Sequence, residues 1–249
     1  NNNIISNSKI KHNSKHGIFL FGDHYNEIKI NEIQYNTLDG IRSQNSTNNN
    51  IYRNIISNNR YGAYLSYFCT LNTIYNNYFH DNTNNALDMS PGGNNFWNAS
   101  NTTGYNIINL NNKKVAGNFW DDLTVVSDSD LDGIYNQNSY SIDISAHDYL
   151  PIYDLRAPDI ESIIIPSGEQ LADTSITISA TVTDNTELED IRIVVPKLTN
   201  ANIELKNFSI LQNRTGNVYT GTTSFSETGN YTIKIVAKDS RNWVTESGG

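Results

Sequence analysis

Written in rows of 23, the first hundred residues fall into columns. Ile5, Ile28, Ile51 and Ile74 share one, and Ile10, Ile33, Ile56 and Phe79 share a second. Asn13, Asn36, Asn59 and Asn82 form a third, and Ser8, Asn31, Asn54 and Asn77 a fourth. Later in each row stand Gly17-Ile18, Gly40-Ile41, Gly62-Ala63 and Asn85-Ala86, with a slip of one residue between the second and third rows. The unit is N-x-I-x-x-N-x-I-x-x-N, a turn, then Gly or another small residue beside an apolar one. A fixed period of this length marks a solenoid. Helical solenoids fit poorly, because Asn is a weak helix former and β-branched Ile prefers strands. Apolar residues two to five apart between Asn and Gly predict short strands and tight turns.

The pattern therefore predicts an all-β chain opening with a right-handed parallel β-helix of about four 23-residue coils plus a cap. Ile columns stack inward. Asn columns occupy the turns, where Asn tolerates the left-handed conformation and its amide reaches the amide one coil away. Such ladders satisfy groups that would otherwise be buried unpaired. Beyond the fourth row, Trp97 falls where the next Ile is due, and Asn94–Leu110 keeps the Asn bias without clean columns. A last coil exposes apolar interior and strand edge unless covered. Gly117-Asn118-Phe119-Trp120-Asp121-Asp122 is composed for that cap. The chain opens on Asn1-Asn2-Asn3, inside the repeat and without Met, and reads as a piece of a longer polypeptide.

After Pro151 the pattern changes period. Ile176, Ile178, Ala180 and Val182 alternate with Thr and Ser, and the same period recurs at Ile191, Ile193 and Val195 and at Tyr231, Ile233, Ile235 and Ala237. Alternation of this kind predicts half-buried strands, and their spacing suggests a β-sandwich. Gly229-x-Tyr231-x-Ile233 resembles the tyrosine corner of Ig-like domains, with Ile233 where antibody domains carry Cys. The predicted domains are 1–153, the β-helix with its cap and an acidic loop, and 154–249, an Ig-like β-sandwich.

Composition narrows the partners. Asn supplies 40 of the 249 residues, 29 of them before Gly117, which lowers mean hydropathy, yet the spaced Ile, Tyr and Phe argue against disorder. A net charge of −9 excludes nucleic acid as a natural partner, since phosphate binding needs clustered Lys and Arg. No apolar run approaches the ~18 residues of a membrane span. A single cysteine, Cys69, excludes an internal disulfide framework and a cysteine zinc site.

The sharpest chemical motif is Asp128-x-Asp130-x-Asp132-Gly133. Three carboxylates at alternate positions before Gly resemble the first half of a calcium loop. The ligands expected of a structural calcium are Asp128, Asp130 and Asp132, the Ile134 carbonyl and Asn136, with Asp143 or Asp148 closing the site, because Ser139 stands where the closing carboxylate belongs. The alternative is an acidic, solvent-facing turn. His12, Tyr35, Asn58 and Asp81 share an outward column, as do Lys11, Gln34, Ser57 and His80, and both read as solvated surface. The coil aspartates Asp23, Asp39, Asp81 and Asp88 show no stacked pair for glycoside chemistry. Arg42, Arg53 and Arg60 lie in unrelated columns, so no clamp is expected, and no catalytic residue is assigned. Coil tyrosines such as Tyr52, Tyr64 and Tyr75 serve packing or a sugar-stacking strip. Sequons at Asn45, Asn98, Asn101, Asn207, Asn213 and Asn230 are candidate glycosylation sites.

The Asn-rich coils, Gly117-Asn118-Phe119-Trp120, Asp128–Ile134 and Asp148-Tyr149-Leu150-Pro151 together resemble NosD-type right-handed β-helix proteins over roughly 1–153. The resemblance implies the wider class of carbohydrate-binding and sugar-hydrolase β-helices of secreted and archaeal cell-surface proteins. Its name-giving members act in periplasmic copper-site maturation. Soft-metal handling needs thiolate, thioether or imidazole ligands. With one Met, one Cys and five scattered His, copper is not carried over. The favoured function is an extracellular, cell-surface structural or adhesion protein without catalysis, in contact with cell-wall or extracellular glycans, further copies or other surface proteins. Two alternatives stay open: a polysaccharide-active enzyme whose site lies on coils upstream of Asn1, and a carbohydrate-binding module.

Overall fold

The computed structural model describes residues 2–247 apart from 91, 93, 124–127, 129, 131, 136–138, 144–145, 185–187, 196–205, 228 and 241–243. The described residues form strands and turns without a helix, so none is long and apolar enough to cross a membrane. The chain divides into two compact units, Asn1–Leu155 and Arg156–Gly249.

The first unit is a parallel β-solenoid of about four turns with three sheets. Ile4–Ser6, Glu27–Lys29, Asn50–Tyr52 and Thr73–Tyr75 stack as the first sheet. Lys9–Lys11, Glu32–Gln34, Ile55–Ser57, Tyr78–His80 and Phe119–Trp120 stack as the second. Ile18–Phe21, Asp39–Gln44, Tyr61–Leu65 and Asn84–Asp88 make the third. The register follows the 23-residue columns: Ile5 pairs with Ile28, Ile28 with Ile51, and Ile51 with Ile74. Ile28, Ile33, Ile56, Ile74 and Phe79 are wholly buried. In the third sheet Ile41 pairs with Ala63, where the sequence slips by one.

Three amide ladders tie the turns, one for each Asn of the N-x-I-x-x-N-x-I-x-x-N unit. Asn3, Asn26, Asn49, Asn72 and Asn95 form the first. Ser8, Asn31, Asn54 and Asn77 form the second, and Asn13, Asn36, Asn59 and Asn82 the third. The left-handed conformation falls elsewhere than expected. It belongs to the residue before most ladder positions: φ is 57° at Ile30, 54° at Tyr35, 56° at Arg53 and 57° at Leu71, and Asn48, Asn58 and Asn76 stand in the same place. The Asn columns thus record amide bonding, and the turn itself accepts bulky residues at a cost of about 1–2 kcal/mol each. The glycine column has a steric cause. A Cβ on Gly40 would lie 2.7 Å from the Gly62 carbonyl oxygen and 2.9 Å from Asn59 Nδ2.

The fifth turn is interrupted rather than lost. Asn95 continues the first ladder, and Trp97, 1% exposed, takes the Ile position. The chain then leaves as an antiparallel hairpin, Thr102–Asn106 with Leu110–Val115. It returns at Asn118, whose amide bonds to Asn77 across 41 residues instead of 23. Phe119–Trp120 pairs with Tyr78–Phe79, so Trp120 becomes the fifth rung of the second inner column. Trp120 stacks on Phe79 at 4.6 Å and under Tyr140 at 4.1 Å, which covers the open coil.

The second unit carries two four-stranded antiparallel sheets. One is ordered Asp159–Ile164, Ile176–Thr183, Val218–Thr223, Arg214–Thr215, the other Lys206–Ser209, Leu188–Val195, Lys234–Asp239, Val244–Glu246. Alternating residues of both sheets, including Ile178, Val182, Ile193 and Ile235, share one buried core.

Candidate functional site

Four acidic centres in the first unit carry the candidate chemistry. The acidic loop brings Asp128, Asp130 and Asp132 together, with one oxygen of each within 4.8 Å of the others. These oxygens also serve the loop's own backbone. Asp128 accepts from the Gly133 N–H at 2.8 Å and the Asp132 N–H at 3.3 Å, and Asp132 accepts from the Ile134 N–H at 2.9 Å. Burial raises the Asp128 pKa, the Gly133 N–H opposes this, and a hydrogen bond with Asp130 adds to it. Ile134 is buried and bridged to Ile152, and Asn136 lies outside the described residues.

The two acids expected to close the loop serve the cap. Asp143 accepts from the Ala146 N–H. Asp148, wholly buried, links the two halves of the cap. It accepts from the Asn118 N–H at 2.6 Å, Trp120 Nε1 at 2.9 Å and the Leu150 N–H at 3.0 Å. A Cβ on Gly117 would lie 2.1 Å from the Leu150 carbonyl oxygen and 2.3 Å from Asp148, so this crossing requires glycine. Burial pushes the Asp148 pKa up to about 7 against those N–H donors. Its neighbour His147 packs against Tyr149, and its buried Nδ1 has no partner among the described residues.

The expectation of unrelated arginines is corrected by the third sheet. Arg42 and Arg60 both reach Asp39, at 3.4 and 3.0 Å, and His16 joins them at 3.2 Å. Asp39 is wholly buried, and burial lowers the His16 pKa against the pull of Asp39. Arg42 also lies 3.6 Å from the centre of the Tyr64 ring. The one-residue slip in the third sheet hid this cluster, since Arg60 and Asp39 are 21 residues apart. Asp88, the fourth centre, accepts from Trp97 Nε1 at 3.2 Å and Asn95 Nδ2 at 3.0 Å.

Of the two columns read as surface, the first is largely exposed, with His12 stacked on exposed Tyr35 at 5.4 Å, whereas in the second Ser57 is wholly buried and Lys11, Gln34 and His80 are half-buried. Asn45, Asn101, Asn207, Asn213 and Asn230 are exposed and Asn98 is half-buried.

Comparison with known proteins places this solenoid. The family described as "Periplasmic copper-binding protein (NosD)" matches residues 1–125, half of the chain. The chain belongs to the NosD family. No curated protein and no solved structure matches it significantly. The family's description names copper, and it overturns the expectation of calcium in the acidic loop. The hydrogen bonds from Gly133, Asp132 and Ile134 account for those acids as a self-tied turn.

The residues of this NosD-family chain do not fit copper either. Cys69 is wholly buried and bonded to Ser43 Oγ, and Met89 Sδ accepts from Tyr64 at 3.0 Å. His16, His24 and His80 are paired with Asp39, Thr47 and Asp81 respectively. Among the described residues, the groups of three ligating side chains consist of aspartate only, a hard-oxygen set unsuited to a soft cuprous ion.

Proposed function

We propose that this NosD-family protein is a non-catalytic scaffold of the cell envelope, working outside the cytoplasm. The family's description as periplasmic supports the location. The observation that carries the role is the engagement of three buried aspartates and two coil glutamates by the fold. Asp39 is held by two arginines and a histidine, Asp88 by Trp97 and Asn95, and Asp148 by Asn118 and Trp120. Glu27 pairs with Lys29, and Glu32 with Lys9 and Lys11. Glycoside hydrolysis needs an acid and a second carboxylate facing substrate. Acids held this way leave no such pair among these residues.

An Ig-like spacer is the reading for the second unit. It is supported by the two facing sheets and by Tyr231 Oη, which donates to the Glu227 carbonyl four residues upstream at 2.8 Å. Contact with glycans is a second reading, favoured by Phe19 and Phe21, exposed side by side with ring centres 6.0 Å apart.

Incubating the purified protein with neutral and acidic polysaccharides tests the scaffold reading. No reducing ends should be released. Release that disappears on substitution of one coil carboxylate would overturn it.

A further inference from the structure

The hairpin that interrupts the fifth turn folds back along the corner between the first and second sheets. Asn76 pins it there: Nδ2 donates to the Tyr105 carbonyl at 2.8 Å, and Oδ1 accepts from the Ile107 N–H at 2.8 Å. Asn76 occupies the turn column of Asn7, Ile30 and Arg53. Pinning at the fourth coil brings the Tyr105 ring over Arg53 of the third, 4.2 Å from guanidinium to ring centre. Beneath the hairpin lies a cleft of about 410 Å³, lined by Lys9, Ile30, Glu32, Arg53, Tyr105 and Ile107 among others. That volume falls in the ~300–1,000 Å³ range of small-molecule sites.

The charges in the cleft do not balance. Glu32 is held by Lys9 at 3.3 Å and Lys11 at 2.7 Å. Among the described residues the Arg53 guanidinium has neither a carboxylate nor a hydrogen-bond acceptor, and its Nε is buried without a partner. A buried donor without a partner costs about 1–3 kcal/mol. Elsewhere in these coils the fold supplies partners readily, as Arg42 and Arg60 show at Asp39. A guanidinium offers a planar fork of donors that matches the oxygens of a carboxylate or phosphate, and Tyr105 holds its plane in place.

We propose that this cleft binds a small oxyanion-bearing molecule, its carboxylate or phosphate on Arg53 and its body against Ile30 and Tyr105. The site rests on Arg53 and the hairpin alone and is independent of the scaffold reading.

The test is titration calorimetry on the whole protein with citrate and with inorganic phosphate, against chloride at matched ionic strength. Binding of either probe at millimolar concentration or tighter is expected, and the probe that binds distinguishes carboxylate from phosphate. Arg53→Gln should weaken binding at least about tenfold, the loss of one charge-assisted pair. Tyr105→Ala, at a side chain 40% exposed, tests the same cleft should Arg53→Gln fold poorly, and should also weaken binding. Absence of binding by the unmodified protein, or unchanged affinity in a folded variant, would overturn the site.

Discussion

Asn54 and Asn77 are joined twice across neighbouring coils: Asn54 donates to the same Asn77 Oδ1 from its side chain at 2.9 Å and from its backbone N–H at 3.0 Å. The Asn54 amide also donates to the Ile28 carbonyl at 2.8 Å and accepts from both the side chain and the backbone of Asn31 at 3.0 Å. A primary amide has two donors and an acceptor oxygen with two lone pairs, so this rung uses its full capacity. Asp lacks the donors, and Gln would place them one methylene too far out.

Asn54→Ala should therefore destabilise by roughly 3 kcal/mol or more, since it removes the acceptor of two buried Asn31 donors and the side-chain donor to the Ile28 carbonyl. Asn54→Asp should cost more, because it adds an uncompensated charge at a wholly buried position. Chemical denaturation gives both values. A loss below about 1 kcal/mol for either would mean the ladder is decoration.

Ile30 carries a β-branched side chain at φ 57° and is 40% exposed. Ile30→Asn keeps the turn and suits its conformation, so a gain of about 0.5–1 kcal/mol is expected. Ile30→Thr, still β-branched, should gain nothing. Equal midpoints for the two variants would contradict the strain argument.

Asp148 makes stability depend on pH. Its pKa in the folded protein, about 7, lies above the ordinary carboxylate value, so the native state holds a proton that the unfolded chain releases. Its contribution is fully present below about pH 4 and is lost as pH rises towards 7, at roughly 1 kcal/mol per unit. His16, with a lowered pKa, acts in the opposite direction below its ordinary value. The difference between the parent and Asp148→Asn isolates the carboxyl: the parent should lose stability between pH 4 and 7 relative to the variant. Parallel curves would refute the assignment.

Copper should not bind tightly. Titration of the chelator-treated protein with cuprous ion under a competing ligand should leave the metal with the competitor. One equivalent retained, and released by Met89→Leu or Cys69→Ser, would show a soft site that the donor positions do not support.

The coils were legible in the sequence because a solenoid repeats one local problem. Each Ile and each ladder Asn meets its own counterpart 23 residues on, so the column is the contact. Trp97 and the alternating strands of the second unit were readable for the same reason: burial follows a period. Where contacts leave the period, tertiary structure alone decided them. Asn118 finds Asn77 across an inserted hairpin, Arg60 reaches Asp39 through a one-residue slip, and Asp148 closes on Trp120 from 28 residues away. The left-handed turn residues are marked only in part: Asn7, Asn48, Asn58 and Asn76 suit that conformation, whereas Tyr35, Arg53 and Ile30 are held there beside the amide ladder. Arg53 looked like any surface cation until the hairpin, pinned by Asn76, covered it.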